Sequence, residues 1–143
     1  MANDIHQIIF VATRRAGGEA LFPAESLNRL YESARDFEAL GLTGMLLHNG
    51  NRLLYCLEGE EAALSRQYER IKADARVQGV AVLRQRTVEK RSFDRWGFAL
   101  REDPRENQPR TLAERVVVLT ADAPPEIRQT FLAFAKLDLR SSA

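Results

Sequence analysis

Apolar residues recur along the chain with two different periods, and the switches between those periods lay out the elements. Ile5 to Thr13 carries branched apolar side chains on both alternating faces, the pattern of a central strand covered above and below. After a turn-like stretch from Arg14 to Gly18, Pro23 suits a first helical turn, and Leu27, Leu30, Tyr31, Ala34 and Phe37 follow at helical spacing. This predicts a first helix closed near Gly41, whose backbone tolerates a left-handed cap, and then a strand through Met45, Leu46 and Leu47. His48, Asn49, Gly50 and Asn51 lie between two apolar runs and predict a hairpin, with Asn-Gly supplying the positive backbone angles of a tight turn. Its second strand, Arg52 to Glu58, places Leu53, Tyr55 and Leu57 on one face and Leu54 and Cys56 on the other.

The helical period returns after the hairpin. Glu60 and Glu61 favour a helix start, with Leu64, Tyr68, Ile71 and Ala75 as the buried stripe. Strands are expected at Val80 to Gln85 and Trp96 to Leu100, and the charged, proline-containing stretch from Glu102 to Arg110 reads as a surface connection. Val116 to Leu119 fits a short strand or part of a helix, and Pro124 to Leu137 reads as a helix with Ile127, Phe131, Phe134 and Leu137 apolar. The order strand, helix, strand, strand, helix, strand, plus one further strand, is an α+β ferredoxin-like sandwich with a helical extension over the sheet. The expected division is a domain over 1–102 and an extension over 103–143.

Composition narrows the class. With 143 residues, 45% hydrophobic and 29% charged, the chain suits one globular domain. A net charge of +1 gives no general attraction to nucleic acid or anionic lipid, so neither is expected as a partner. No apolar run reaches the roughly 18 residues of a spanning helix, and the amino terminus lacks the pattern of a signal peptide. One cysteine, Cys56, forms no internal disulfide, and a reducing cytoplasm is the expected location.

Candidate chemistry is sparse. His6 and His48 have no nearby partner in a metal motif, Cys56 reads as a buried inert thiol, and the glycines form no phosphate-binding loop. Glu58 suits a carboxylate that accepts backbone hydrogen bonds at the strand-to-helix junction. Arg84, Arg86, Lys90 and Arg91 cluster, but Glu89 and Asp94 interrupt them, which suits a solvated strand edge. No catalytic pair appears, and no enzyme activity is expected.

Gly41-Leu42-Thr43-Gly44 before the hairpin, Leu57-Glu58-Gly59 after it, Arg70-Ile71-Lys72-Ala73-Asp74 on the second helix, and Arg91-Ser92-Phe93 followed by Trp96 together resemble the BLUF family of flavin-binding blue-light sensors, over roughly residues 5 to 102. The resemblance implies an isoalloxazine ring held between two helices above the central strands, read by a tyrosine, an asparagine and a glutamine. Here those positions are Phe10, Phe37 and Tyr55. Phe10 lacks the hydroxyl of the tyrosine that gives an electron and a proton to the excited flavin. Phe37 lacks the amide that bonds the polar edge of the ring. Tyr55 offers one rotatable hydroxyl where the glutamine amide both donates and accepts. Arg70 and Asp74 match the family in type at phosphate-side or ribityl-side positions, and equally suit an i,i+4 surface pair. Trp96 suits packing or a signal-dependent exposure.

These residues, Phe10, Phe37, Tyr55, Arg70, Asp74 and Trp96, make up a vestigial flavin pocket. The expectation is a regulatory or protein-interaction module that has lost conventional photochemistry and carries no cofactor. It is expected to act as a homodimer or on a regulatory protein in trans, through the sheet face and carboxyl-terminal residues such as Phe131, Phe134 and Leu137. The alternative is a receptor binding FAD or FMN with atypical photochemistry. A third class is an unrelated ferredoxin-like enzyme or small-ligand binder, which would need a concave polar site elsewhere.

Overall fold

A computed structural model describes residues 5–14, 34–100 and 111–137. The expected start of the first helix at Pro23 to Tyr31 and the connection from Glu102 to Arg110 lie outside the described residues. The elements are β1 (Ile5–Arg14), helical residues 34–39 (α1), β2 (Thr43–Asn49), β3 (Arg52–Gly59), α2 (Glu61–Lys72), β4 (Val77–Val88), β5 (Trp96–Leu100), α3 (Leu112–Leu119) and α4 (Pro125–Ala135).

The strands form one sheet in the order β4-β1-β3-β2-β5. β1 runs antiparallel to β3 and β4, β3 antiparallel to β2, and β5 parallel to β2. β3 and β1 thus sit inside the sheet, and their apolar runs are buried on both faces as expected. This is the ferredoxin-like α+β plan with one added strand.

Two cores follow from the alternation of side chains across the strands. On one face Ile8, Phe10, Leu46, Leu53, Tyr55, Leu57, Trp96 and Phe98 pack with Phe37 of α1 and Leu64 of α2. On the other, Ile9, Met45, Leu47, Leu54 and Cys56 pack with Val116 of α3 and Ile127, Phe131 and Phe134 of α4. The extension covers the sheet as the sequence indicated, and Phe131 and Phe134 are both buried in that contact.

Several boundaries move for identifiable reasons. Val116 to Leu119 is helical, because Thr111 and Glu114 form a reciprocal capping box: the Glu114 amide donates to Thr111 Oγ1 at 3.1 Å and the Thr111 amide donates to Glu114 Oε1 at 2.7 Å. α2 stops at Lys72, so Ala75 lies beyond the stripe and is exposed, while Gln67 is buried in its stead. β4 extends from Val77 to Val88, well past Val80 to Gln85, and as an edge strand it carries a register shift that leaves Leu83 unpaired and 56% exposed.

The hairpin turns on Gly50, with φ of 62°, while Asn49 stays extended in β2 paired with Arg52. Asn49 is buried and its amide donates to the Phe134 carbonyl at 2.8 Å and the Leu137 carbonyl at 3.2 Å. A residue expected to serve the turn therefore closes the carboxyl end of α4.

Candidate functional site

The candidate site lies on the sheet face under α1 and α2. Phe10 and Tyr55 are direct cross-strand partners in β1 and β3, and their rings stack at 4.8 Å between centroids with 10° between planes. Trp96, at the start of β5, lies 6.5 Å from Tyr55 and meets Phe37 of α1 edge to face at 4.4 Å. Tyr68 of α2 closes the other end, edge to face on Phe10 at 5.0 Å. Five aromatic rings thus run from Tyr68 of α2, over β1, β3 and β5 with β2 supplying none, to Phe37 of α1. Phe10 is fully buried, and Phe37, Trp96 and Tyr55 nearly so.

The structure brings together Phe10, Phe37, Tyr55 and Trp96, four of the six residues singled out in the sequence. Tyr68 was read there only as helix stripe, and the aromatic character of its position on α2 was the available signal. Arg70 is exposed on α2. The Asp74 carboxylate bonds Arg76 at 2.8 Å and not Arg70, because the chain turns out of α2 at Ala73 and breaks the i,i+4 geometry. The Arg76 hydrogen bonds hold the Asp74 carboxyl below its usual range. Tyr55 is pushed up, first by burial and then by the charge of Asp74, so its phenol stays protonated at any physiological pH.

The strand approach behind this site explains part of the sequence pattern. At Gly44, with φ of 146°, an added Cβ would fall 1.8 Å from the Cys56 carbonyl oxygen and 3.1 Å from the Trp96 ring. Only glycine lets β2 pass between β3 and the indole. Cys56 is fully buried on the opposite face, where burial pushes its thiol well up, as expected for an inert cysteine.

Glu58 is also fully buried, and its partners differ from those expected. It accepts from the amides of Ser92 at 2.8 Å and Phe93 at 3.2 Å, from Gln7 Nε2 at 2.8 Å and from Thr43 Oγ1 at 3.3 Å. The backbone it holds is the β4–β5 loop, not the junction with α2. Arg91 of that loop donates to Thr43 Oγ1 and to the Glu58 carbonyl. Arg84 and Arg86, read as a solvated edge, both pair with Glu126 of α4.

Elsewhere, a groove of about 290 Å³ lies between the β4–β5 loop and the α3–α4 turn, lined by Arg91, Asp94, Val118, Leu119 and Asp122 among others. It holds a guanidinium and two carboxylates. No helix among the described residues is long and apolar enough to cross a membrane.

A family model described as "Sensors of blue-light using FAD" matches residues 5–99. Among solved structures, the chain is similar to Klebsiella pneumoniae BlrP1 in its manganese and cyclic-diGMP complex at pH 9.0, with a TM-score of 0.72 and 22% identity over 92% of this chain and 32% of that one. The chain therefore spans about a third of the BlrP1 chain it matches. The BLUF part of BlrP1 alone gives 0.71 and 22% identity over 93% and 90%, and BlsA in its photo-activated state gives 0.62 and 23% over 94% and 96%. No curated protein matches the chain. The matched segment runs from β1 into β5 and contains every strand of the sheet that carries the aromatic row, and on that match the chain belongs to the BLUF family.

Proposed function

We propose that this BLUF protein works as a regulatory or protein-interaction module whose flavin slot is filled by its own side chains. The observation that carries this reading is the stack of Phe10 on Tyr55 at 4.8 Å beside the Phe37 to Trp96 contact at 4.4 Å. An isoalloxazine ring asks for an open slot and for donors and acceptors along its pyrimidine edge. Phe10 and Phe37 offer no polar atom, and Tyr55 offers a single hydroxyl. The rings already lie at aromatic contact distances, each burying about 150–250 Å² that a bound ring system would otherwise cover. That lining does not fit flavin.

Contact surfaces for a partner are the outer sides of the carboxyl-terminal helices. Phe131 and Phe134 are spent on the sheet, which leaves Val117, Val118 and Leu137, each about half exposed or more, to meet a second copy or a regulatory protein in trans.

A second reading, a receptor for FAD or FMN with atypical photochemistry, draws on Tyr55, Tyr68 and Trp96, oxidisable rings within or beside the slot. An absorbance spectrum separates the two. Purified protein that stays colourless after refolding with excess FAD or FMN supports the filled slot. Yellow protein whose flavin band shifts to the red under blue light overturns it and establishes the receptor.

A further inference from the structure

On the face covered by α3 and α4, one row of polar side chains crosses four adjacent strands. Arg86 of β4 and Glu58 of β3 are both register partners of Gln7 in β1, and Thr43 of β2 is the register partner of Glu58. Gln7 is 1% exposed and Glu58 is fully buried. Arg86 Nε donates to Gln7 Oε1 at 3.0 Å, and Gln7 Nε2 donates to Glu58 Oε2 at 2.8 Å. The guanidinium of Arg86 also bonds the Glu126 carboxylate on α4.

The amide of Gln7 therefore lies between a cation and a buried anion. Its carbonyl end faces the guanidinium and its NH₂ end the carboxylate, so each end meets the charge that favours it. Turning the amide over would set its oxygen against Glu58, in the fully buried part of the row, and its NH₂ against Arg86 at the partly exposed end, two unfavourable contacts. Glu126 fixes the far side of Arg86, and Glu58 in turn grips the Ser92 and Phe93 amides of the β4–β5 loop.

We propose that Gln7 is a charge-oriented coupler that makes the grip of Glu58 on loop residues 92 and 93 depend on the docking of α4 through Glu126 and Arg86. The consequence is regulatory. A partner that draws α4 off Arg86 frees the guanidinium, loosens the orientation of the amide and relaxes the loop that leads into Trp96. The coupler does not depend on whether the slot on the opposite face holds flavin.

α4 also touches this loop directly, through Phe131 on Phe93 at 6.3 Å, so the test must separate the two routes. Amide hydrogen exchange at Ser92 and Phe93 reads the grip itself. Arg86→Met is expected to speed exchange at both amides about fivefold, the effect of one weakened buried hydrogen bond, with the β2–β3 hairpin amides unchanged. Gln7→Met should give a similar rise. In the Gln7→Met background, Arg86→Met should add nothing further, because the route is already cut. Full additivity of the two substitutions would assign the effect to the Phe131 contact and overturn the coupler. If Gln7→Met does not fold, Arg86→Met is compared with Phe131→Leu: a rise in the first and not the second supports the coupler, and unchanged exchange in Arg86→Met overturns it.

Discussion

Phe37 and Trp96 meet edge to face at 4.4 Å between ring centroids, and the Trp96 amide donates to the Glu38 carboxylate at 3.2 Å, so adjacent residues of α1 hold the same residue of β5 by its ring and by its backbone. The first helix is thereby fastened to an edge strand whose one neighbour within the sheet is β2. Trp96 is also the single tryptophan of the chain, which makes its emission a direct reporter of this contact.

Phe37→Ala removes a buried ring and leaves a void beside the indole. The expected cost is about 3–5 kcal/mol in urea unfolding, with a red shift of the Trp96 emission as water reaches it. Emission and midpoint both unchanged would show that the ring does not pack against Trp96 in solution.

Restoring the family's polar set tests whether side chains alone block the slot. Phe10→Tyr, Phe37→Asn and Tyr55→Gln together are expected to produce a protein that takes up FAD and turns yellow, while the parent stays colourless. A well-folded triple variant that takes up no flavin would place the obstruction elsewhere in the chain.

The grip of Glu58 is testable by an isosteric change. Glu58→Gln keeps the shape but turns an NH₂ group toward donors, the Ser92 and Phe93 amides and Gln7 Nε2. A loss of about 1–3 kcal/mol is expected, read as a lower urea midpoint at constant slope. An unchanged midpoint would mean that the carboxylate contributes nothing net.

His48 sets a pH dependence. Burial, and then the charge of Arg14, lower its pKa from 6.5 to about 4. Between those values the unfolded chain binds a proton that the folded chain refuses, so this contribution to stability is whole above pH 6.5, falls as the pH drops toward 4, and levels off below. Urea midpoints measured from pH 7 to pH 4 should decline, and His48→Gln should flatten the decline across that window. An identical decline in the variant would assign it to other groups.

How far these features were legible in the sequence follows from what each depends on. Phe10 and Tyr55 were readable because strand alternation assigns each a face, and Trp96 because the family resemblance runs through Arg91-Ser92-Phe93 to it. Phe37 was readable from helical spacing. The polar row was not, since pairing Gln7 with both Glu58 and Arg86 requires the strand order β4-β1-β3, which local patterns do not contain. The pairing of Glu126 with Arg84 and Arg86 was out of reach for the same reason. Asn49 misled differently, because an Asn before Gly carries a strong turn signal while its amide is claimed by the distant end of α4. The capping box at Thr111 and Glu114 was present in the sequence, and it would have settled α3 as a helix.

Because α3 and α4 supply about half of the second core, the sheet face they cover is expected to need them for its burial. Severing the chain beyond Leu100 would lay bare Ile9, Met45, Leu47 and Leu54 as a continuous greasy sheet face, prone to clumping. The same exposed area sets an energetic threshold on any event that peels α4 away: whatever lifts the helix must bring an apolar surface of its own to take its place.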